Sequence, residues 1–217
     1  MLVLALDTSS PAVSAALVHV AADACEVVAE HVVVDARRHG ELLALGVRTV
    51  LAGRPATELD ALVVGLGPGP FTGLRVGLVT AATMADALGL PAYGVCSLDA
   101  VGDGERVVVT DARRREVYWA GYDASARVQG PAVERPAELA ARLRGSGARL
   151  VGAGAGLHRE AFDGLLVDDG FPHPSAPALA HAAADRVLGA APSEALTPLY
   201  LRRPDAVEPQ ASKRVTA

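Results

Sequence analysis

Lysine is almost absent from this chain: of its 20 basic residues only Lys213 is a lysine, and it lies close to the C-terminus. Without a lysine in the folded body, neither a lysine Schiff base nor the lysine of a P-loop nucleotide site is available. Aromatic residues make up only 4% of the sequence, so the core must be built from Ala, Val and Leu. The shortage of lysine therefore excludes Schiff-base chemistry and P-loop nucleotide binding in the folded body.

Cysteines and long apolar runs are also scarce. Cys25 and Cys96 are the only two cysteines, which is too few for a disulfide framework or a metal knuckle, and we expect both to be small buried side chains in a reducing compartment. No apolar run approaches the roughly 18 residues that a membrane helix needs. The segment from Leu2 to Leu6 has no basic residues before it and meets Asp7, so it predicts a strand and not a signal peptide. We therefore expect a cytoplasmic protein without a membrane segment.

The charge balance argues against a chain that holds nucleic acid by itself. The formal net charge is −5, whereas proteins that bind phosphates alone normally carry a basic surface. We therefore expect any contact with RNA to be shared with a partner. The content of 51% hydrophobic and 21% charged residues is typical of a globular chain.

Hydrophobic periodicity predicts an α/β protein. The first half of the chain contains three strands, a helix, a strand, a second helix and a strand, at 2–6, 13–20, 27–34, 39–51, 61–66, 72–88 and 91–95. The second half contains strands at 106–110, 116–122, 127–133 and 150–154, and helices at 136–143 and 178–188.

The order of elements in the first half is that of one lobe of the actin, hexokinase and Hsp70 (ASKHA) type of fold. We therefore predict a two-lobed, actin-like ATPase fold with a reduced second lobe. Residues 1–97 would form the first lobe, 98–204 the second, smaller lobe, and 205–217 a flexible tail.

The most informative stretch is Gly67 to Gly73, with the sequence GPGPFTG. It lies between a buried strand and the start of a helix, where backbone N–H groups favour anions. It lacks the GK[ST] of a P-loop, and Pro70 takes the third glycine position of the dinucleotide fingerprint. Gly69 would still let the backbone approach a ligand or another chain closely. A stiff strand-to-helix turn is the alternative.

Six motifs of this chain occur in the same order in one known family. They are DTSSPAVSAAL at the N-terminus, RRHGELL at 37–43, GLGPGPFTGLRVGLVTAATMADAL at 65–88, VCSLDAV at 95–101, DARRREVYWAGY at 111–122 and PLYLRRPDA at 198–206. On these motifs, which span nearly the whole chain, the sequence resembles the TsaB family. The central GPGPFTGLR block is highly specific.

The resemblance implies a role in tRNA modification. TsaB proteins are similar in fold to TsaD, the catalytic subunit, and work with TsaD and the small ATPase TsaE to install threonylcarbamoyl on the adenosine beside the anticodon. The resemblance implies a non-catalytic scaffold and activator without a cofactor of its own. ATP and a metal are expected on the partner subunits, and tRNA is met only through the complex. A homodimer of the isolated chain stays open.

The rival interpretation is an enzyme, either a small phosphotransferase or a metallopeptidase-like protein. TsaD-like proteins hold a metal through two histidines four residues apart, where this chain has Cys96-Ser97-Leu98-Asp99-Ala100, with one carboxylate and no histidine. A phosphotransferase of this fold would use Asp7 at the end of the first strand. The turn after Asp7 has no glycine that would let it fold over phosphates. We therefore expect no metal site and no catalytic residue.

Two weaker candidate sites concern a ligand and RNA. A nucleotide or ligand cleft would be lined by Asp7, Thr8, Ser9, Gly67, Gly69 and Gly154, the last from a glycine–alanine alternation after a strand. Turn capping and plain turns are the alternative. The basic triplet Arg113, Arg114 and Arg115 lies between two predicted strands. It would contact tRNA or the catalytic partner, or else form a solvated turn.

Two predicted helices offer a binding surface. The helix at 39–51 is apolar on more than one face, so one side should face outward. The helix at 72–88 carries small residues at a spacing of four, and TsaB-like proteins use this helix pair to dimerise or to join the catalytic subunit. Packing on the chain's own sheet is the alternative. The predicted partner interface consists of Leu42, Leu45, Gly73, Gly77, Ala81 and Ala85.

Overall fold

Two five-stranded sheets form the framework of the computed structural model, which describes residues 1–124 and 126–202. The predicted tail at 205–217 lies outside the described residues. The first sheet contains β1 (Leu2–Asp7), β2 (Ala12–Val20), β3 (Cys25–Val34), β4 (Ala61–Gly65) and β5 (Ala92–Val95). The second contains β6 (Arg106–Asp111), β7 (Val117–Asp123), β8 (Ala126–Glu134), β9 (Arg149–Val151) and β10 (Leu166–Asp168).

Six α-helices and two 3₁₀ turns accompany the sheets in the described part of the chain. The helices are α1 (His39–Leu51), α2 (Phe71–Leu88), α3 (Pro136–Leu143), α4 (Ala153–Leu157), α5 (Ala176–Ala182) and α6 (Ala184–Leu188), and the 3₁₀ turns are Ala56–Glu58 and Ser97–Ala100. Within the same residues, no helix combines the length and the hydropathy needed to cross a membrane.

The two sheets share one topology. The spatial order of the first is β3-β2-β1-β4-β5, with β1 antiparallel to β2 and parallel to β4. The order of the second is β8-β7-β6-β9-β10, with β6 antiparallel to β7 and parallel to β9. The predicted two-lobed α/β fold of actin-like type is therefore confirmed, with a repeat that exists in topology but not in sequence.

The first sheet is covered on both faces. Leu4 and Leu62 belong to a core cluster beneath α1 and α2, whereas Val3 and Val63 belong to a second cluster beneath α5 and α6. A strand buried on both faces has a nearly continuous apolar sequence, which is why β1 and β4 were predicted from uninterrupted hydrophobic runs.

The last helices correct the predicted lobe division. We predicted a second lobe over 98–204 and one helix over 178–188. The chain instead forms α5 and α6, and both pack on the first sheet, where Leu179 and Val187 are fully buried. The physical reason is that the second face of this sheet would otherwise expose its apolar side chains to water.

Candidate functional site

Asp7, at the end of β1, is the centre of a buried hydrogen-bond network. Only 1% of its surface is exposed. Its Oδ1 accepts hydrogen bonds from the amide and the hydroxyl of Ser9 at 2.8 and 2.7 Å, and its Oδ2 accepts one from Ser97 Oγ at 2.6 Å. Burial raises the pKa of Asp7 above its ordinary value, although the hydrogen bonds from Ser97 and Ser9 act in the opposite direction.

The same network fixes the loop that carries the GPGPFTG sequence. Gly67 donates its amide to Ser97 Oγ at 3.0 Å, and the Ser97 amide donates back to the Gly67 carbonyl at 2.8 Å. Gly65 leaves the space that the Asp7 carboxylate fills, because a Cβ at Gly65 would overlap that carboxylate. The carboxylate therefore ties together the ends of β1 and β4 and the segment after β5.

Thr8 joins the turn after β1 to helix α2. Its hydroxyl donates to the Gly73 carbonyl at 2.8 Å and accepts from the Gly77 amide at 3.0 Å, so it bridges two groups four residues apart along the helix. A Cβ at Gly77 would lie 2.6 Å from Thr8 Oγ1, and a Cβ at Gly69 would overlap the Ser9 carbonyl. Because these glycines lack a Cβ, they leave room for the chain's own turn after β1.

An opening of about 210 Å³ lies between the lobes, at the position where the predicted ligand cleft would be. Ser9 lines this opening together with Thr110 and Arg113. Much of the remaining wall is proline, which has no backbone N–H to offer to a phosphate. The prolines in the wall are Pro11, Pro68, Pro70, Pro172 and Pro174.

The basic triplet forms the turn between β6 and β7. Arg113, Arg114 and Arg115 all have positive φ angles, of 64°, 51° and 63°. This backbone region is uncommon for residues other than glycine and costs on the order of 1 kcal/mol or more for each. The Arg113 amide donates to Asp111 Oδ1 at 2.8 Å. The turn borders a second cleft, of about 330 Å³, beside the start of α2.

The stretch compared above with a metal-binding histidine pair carries other interactions. Asp99 Oδ1 accepts hydrogen bonds from Tyr122 Oη at 2.7 Å and from Arg127 Nη1 at 3.0 Å. Burial raises the pKa of the Cys96 thiol to about 11, which keeps it protonated and unreactive. Within residues 1–124 and 126–202, no three His, Cys, Asp or Glu side chains are grouped as metal ligands would be.

Comparison with models of protein families shows which family the chain belongs to. The model described as TsaD, tRNA N6-adenosine threonylcarbamoyltransferase, matches residues 16–155, which is more than half of the chain. The chain belongs to the TsaD family. Its segment matched to the TsaD family model includes the GPGPFTG loop, both helices of the predicted interface and the basic turn.

Besides the TsaD family model, the chain is similar to uncharacterized proteins and to proteins named TsaB. An uncharacterized protein of Mycobacterium tuberculosis is 48% identical over 94% of this chain and 93% of its own length. The Escherichia coli tRNA threonylcarbamoyladenosine biosynthesis protein TsaB is 36% identical over 56% of this chain and 55% of that protein. The match to TsaB therefore spans about half of each chain.

A solved structure agrees over the whole fold. YeaZ from Pseudomonas aeruginosa is 27% identical and superposes with a TM-score of 0.76, covering 92% of this chain and all of that one. A second Pseudomonas aeruginosa structure, described as similar to peptidase YEAZ, gives a TM-score of 0.77 at 28% identity over 93% of this chain and 99% of its own. Together with the TsaB relatives, these confirm the predicted resemblance to TsaB.

The small-residue stripe of this TsaD family chain does not face outward, which corrects our interface prediction. Gly73 and Gly77 receive Thr8, and Ala81 is 0% exposed within the core of the first lobe. Ala85 is buried in the same cluster, and so is Leu42 of α1. The stripe is smooth because it packs on the chain's own sheet and turn.

The outward faces of α1 and α2 are instead formed by other residues. Leu45 is 44% exposed and Val79 is 62% exposed. Their exposed neighbours along the helices include both uncharged and charged residues, and the charged Glu41, Arg48 and Arg75 lie one helical turn away. The uncharged neighbours are Ala44, Ala82 and Thr83, and the charged residues are Glu41, Arg48, Arg75 and Asp86.

The predicted ligand cleft is only partly assembled. Ser9 lines the proline-rich opening and Gly69 lines the second cleft. Asp7, Thr8, Gly67 and Gly154 are buried in contacts within the chain, and a Cβ at Gly154 would lie 2.7 Å from the Thr110 carbonyl carbon. Four of the six predicted residues therefore stabilise the fold at this point.

Sequence reasoning missed several residues that organise the site. They are Ser97, whose hydroxyl holds Asp7 and Gly67; His39, whose Nε2 lies 3.0 Å from the Ser10 carbonyl oxygen; and Phe71, Tyr200 and Arg202, which line the second cleft. The signal was present, because each lies within one of the shared motifs, but a motif does not show which of its members meet in space.

Proposed function

We propose that this chain is a TsaB-type accessory subunit in the formation of N6-threonylcarbamoyladenosine in tRNA. It binds a TsaD-type catalytic partner and activates it, and it carries no complete active site of its own. Relatives named tRNA threonylcarbamoyladenosine biosynthesis protein TsaB support this role. The TsaD family match over residues 16–155 supports it as well.

The observation that carries the proposal is that the Asp7 carboxylate is buried and hydrogen-bonded within the chain. In phosphotransferases of this fold, an aspartate at the end of the first strand acts beside the phosphates. Here both carboxylate oxygens accept hydrogen bonds from Ser9 and Ser97, and the side chain is 1% exposed. A group that acts on a substrate must come within hydrogen-bond distance of it. The buried Asp7 carboxylate supports a structural role instead.

We place the partner-binding surface on the outward faces of α1 and α2, centred on Leu45 and Val79. An exposed apolar centre bordered by charges matches the core and rim of a protein–protein interface. The same face would support a homodimer of the isolated chain. In this proposal the other subunits, which include a TsaE-like ATPase, bind the ATP and the metal. The complex acts in the cytoplasm.

Reconstitution tests the proposal. The purified chain is mixed with the TsaD-like and TsaE-like proteins of the same organism, unmodified tRNA, ATP and threonylcarbamoyl-adenylate, which donates the transferred group and leaves as AMP. Modified adenosine in the tRNA is then measured by mass spectrometry. We expect strong modification by the full mixture and none by this chain alone. Full modification without this chain, or modification by this chain alone, would contradict the accessory role.

A further inference from the structure

Four strands form the edges of the two sheets, and three of them are protected from pairing with another chain. Beside β5, the Glu194 amide donates to the Ala92 carbonyl at 3.0 Å, and the Ala92 amide donates to Ser193 Oγ at 3.1 Å. β10 is only three residues long, and β8 contains Pro131, which has no backbone N–H. Short strands, prolines and covering segments are the usual protection of a sheet edge.

The remaining edge, β3, is long and less protected. In the described parts of the chain, residues 1–124 and 126–202, β2 is the only strand that pairs with it. Its ten residues include no proline, lysine or arginine. Val28 has no partner on β2, so the regular part of the strand runs from Ala29 to Val34, which is about the length of an average strand. An edge of this kind is a template for pairing with another chain.

The backbone of this regular part has hydrogen-bonding groups free for one more strand. The Asp35 amide, directly after β3, donates to the Pro11 carbonyl at 2.8 Å. Hydrogen bonding alternates along an antiparallel pair, so every second residue before Asp35 faces β2 and the residues between them do not. The amides and carbonyls of Glu30, Val32 and Val34 therefore point away from the sheet.

The side chains of the same three residues form an apolar surface with one acid. Val32 and Val34 are 49% and 62% exposed, and Glu30 is an exposed residue on the same face of the sheet. Toward the start of β3 this face opens into a cleft of about 730 Å³, which Val27 lines together with Ala178 of α5. When a peptide is added to a sheet, main-chain bonds hold it and the places for alternate side chains select it. This face selects two apolar side chains and one basic side chain, at every second position.

A second copy of this chain suits the edge poorly. Two copies related by a two-fold axis normal to the sheet would pair residues of one face with residues of the same face. Within the regular part, Glu30 of one copy would then lie opposite Glu30, Val32 or Val34 of the other, and none of these carries positive charge. Like charges directly opposite each other are destabilising, and a carboxylate against valine has no partner. A segment of a different protein can place a lysine or an arginine there.

We propose that the free edge of β3 binds an extended segment of another protein as an added antiparallel strand. Every second side chain of that segment faces Val34, Val32 and Glu30 in turn, and the first two are apolar and the third is basic. The net charge of −5 also favours a basic segment. This edge and the outward faces of α1 and α2 are formed by different residues. The inference therefore stands or fails separately from the proposed binding of a TsaD-type partner.

The test measures binding of a fluorescein-labelled peptide to the purified full chain by fluorescence anisotropy. The probe has the sequence Val-Thr-Val-Thr-Lys-Thr-Val, which places its valines and its lysine on one face of a strand. A second peptide has glutamate in place of the lysine. We expect saturable binding of the lysine peptide and at least about fivefold weaker binding of the glutamate peptide, because its acid would lie opposite Glu30.

Two variants, each with a matched control, test the backbone and the charge. Val32→Pro removes an outward amide and should weaken binding of the lysine peptide about tenfold, whereas Val32→Thr keeps the amide and should bind like wild type. Proline is tolerated on an edge strand where the amide faces solvent, so both variants should melt cooperatively. Glu30→Lys changes no backbone group and should reverse the preference between the two peptides. Its control is Glu26→Lys on the other face of β3, which should leave the preference unchanged.

The charge exchange decides the test by itself if Val32→Pro does not fold. Absence of saturable binding up to about 1 mM, which corresponds to about −4 kcal/mol, would overturn the proposal. So would a Glu30→Lys chain that keeps the wild-type preference, or a folded Val32→Pro chain that binds like Val32→Thr. A wild-type chain that elutes as a dimer, which Val32→Pro separates into monomers, would assign the edge to a second copy and would overturn the proposal as well.

Discussion

The Thr8 hydroxyl accepts a hydrogen bond from the Gly77 amide at 3.0 Å, and a Cβ on Gly77 would lie 2.6 Å from that hydroxyl oxygen. This contact joins the first turn of the chain to the middle of α2. It explains why small residues recur on that helix, and it yields the first prediction.

Gly77→Ala should destabilise the fold by about 1–2 kcal/mol, because overpacking outweighs the gain in helix propensity. Thr8→Ala should relieve that clash, so the double variant is expected to lose less stability than the two single losses added together. Urea unfolding measures all three. Gly40→Ala in α1 is the control, since its Cβ meets no atom within 4 Å and should be neutral or stabilising. Additive losses would show that the two residues do not interact.

Asp7 should make stability depend on pH. Burial raises its folded-state pKa above the ordinary value of 3.8, so the folded protein binds the proton more tightly than the unfolded chain. Its contribution to stability is therefore full below the ordinary value and is lost as pH rises through the raised pKa. We expect the stability of wild type minus that of Asp7→Asn to fall over this range in urea titrations. A difference that is constant or rises with pH would contradict the role of burial.

Relief of backbone strain in the basic turn should be measurable. Arg113→Gly removes a residue with a φ of 64°, and we expect unchanged or higher stability, by up to about 1 kcal/mol. Arg159→Gly, at a position without a positive φ, should lose about 0.5–1 kcal/mol. Thermal melting compares the two. Equal losses in both variants would show that the turn carries no strain.

Ala81→Arg should prevent folding, because Ala81 is 0% exposed within the core of the first lobe. An arginine there would bury an unpaired charge, which costs several kcal/mol. Circular dichroism and melting report the loss directly. A cooperative melt near the wild-type temperature would show that position 81 tolerates a charge. It would support the interface that we predicted from the sequence.

How far the sequence predicts this molecule depends on the kind of contact. The strands of the first sheet were predictable because burial on both faces leaves continuous apolar runs, and α2 because Gly89 ends it. The facing of α2 was not predictable, since a spacing of four defines one side of a helix but not what that side meets. Thr8 and Gly77 are far apart in sequence, and no local pattern reports their contact. α4 and β10 are too short to show a period.

Partner binding through the outward faces of α1 and α2 is the central claim, and Val79→Arg tests it most directly. Val79 is 62% exposed, so the variant should melt like wild type. Its matched control is Val128→Arg on β8, at 61% exposure. Size-exclusion chromatography with the TsaD-like subunit measures assembly. We predict that Val128→Arg assembles normally and that Val79→Arg binds at least about tenfold more weakly, the equivalent of about 1.4 kcal/mol. A folded Val79→Arg chain that still elutes with its partner would contradict the account.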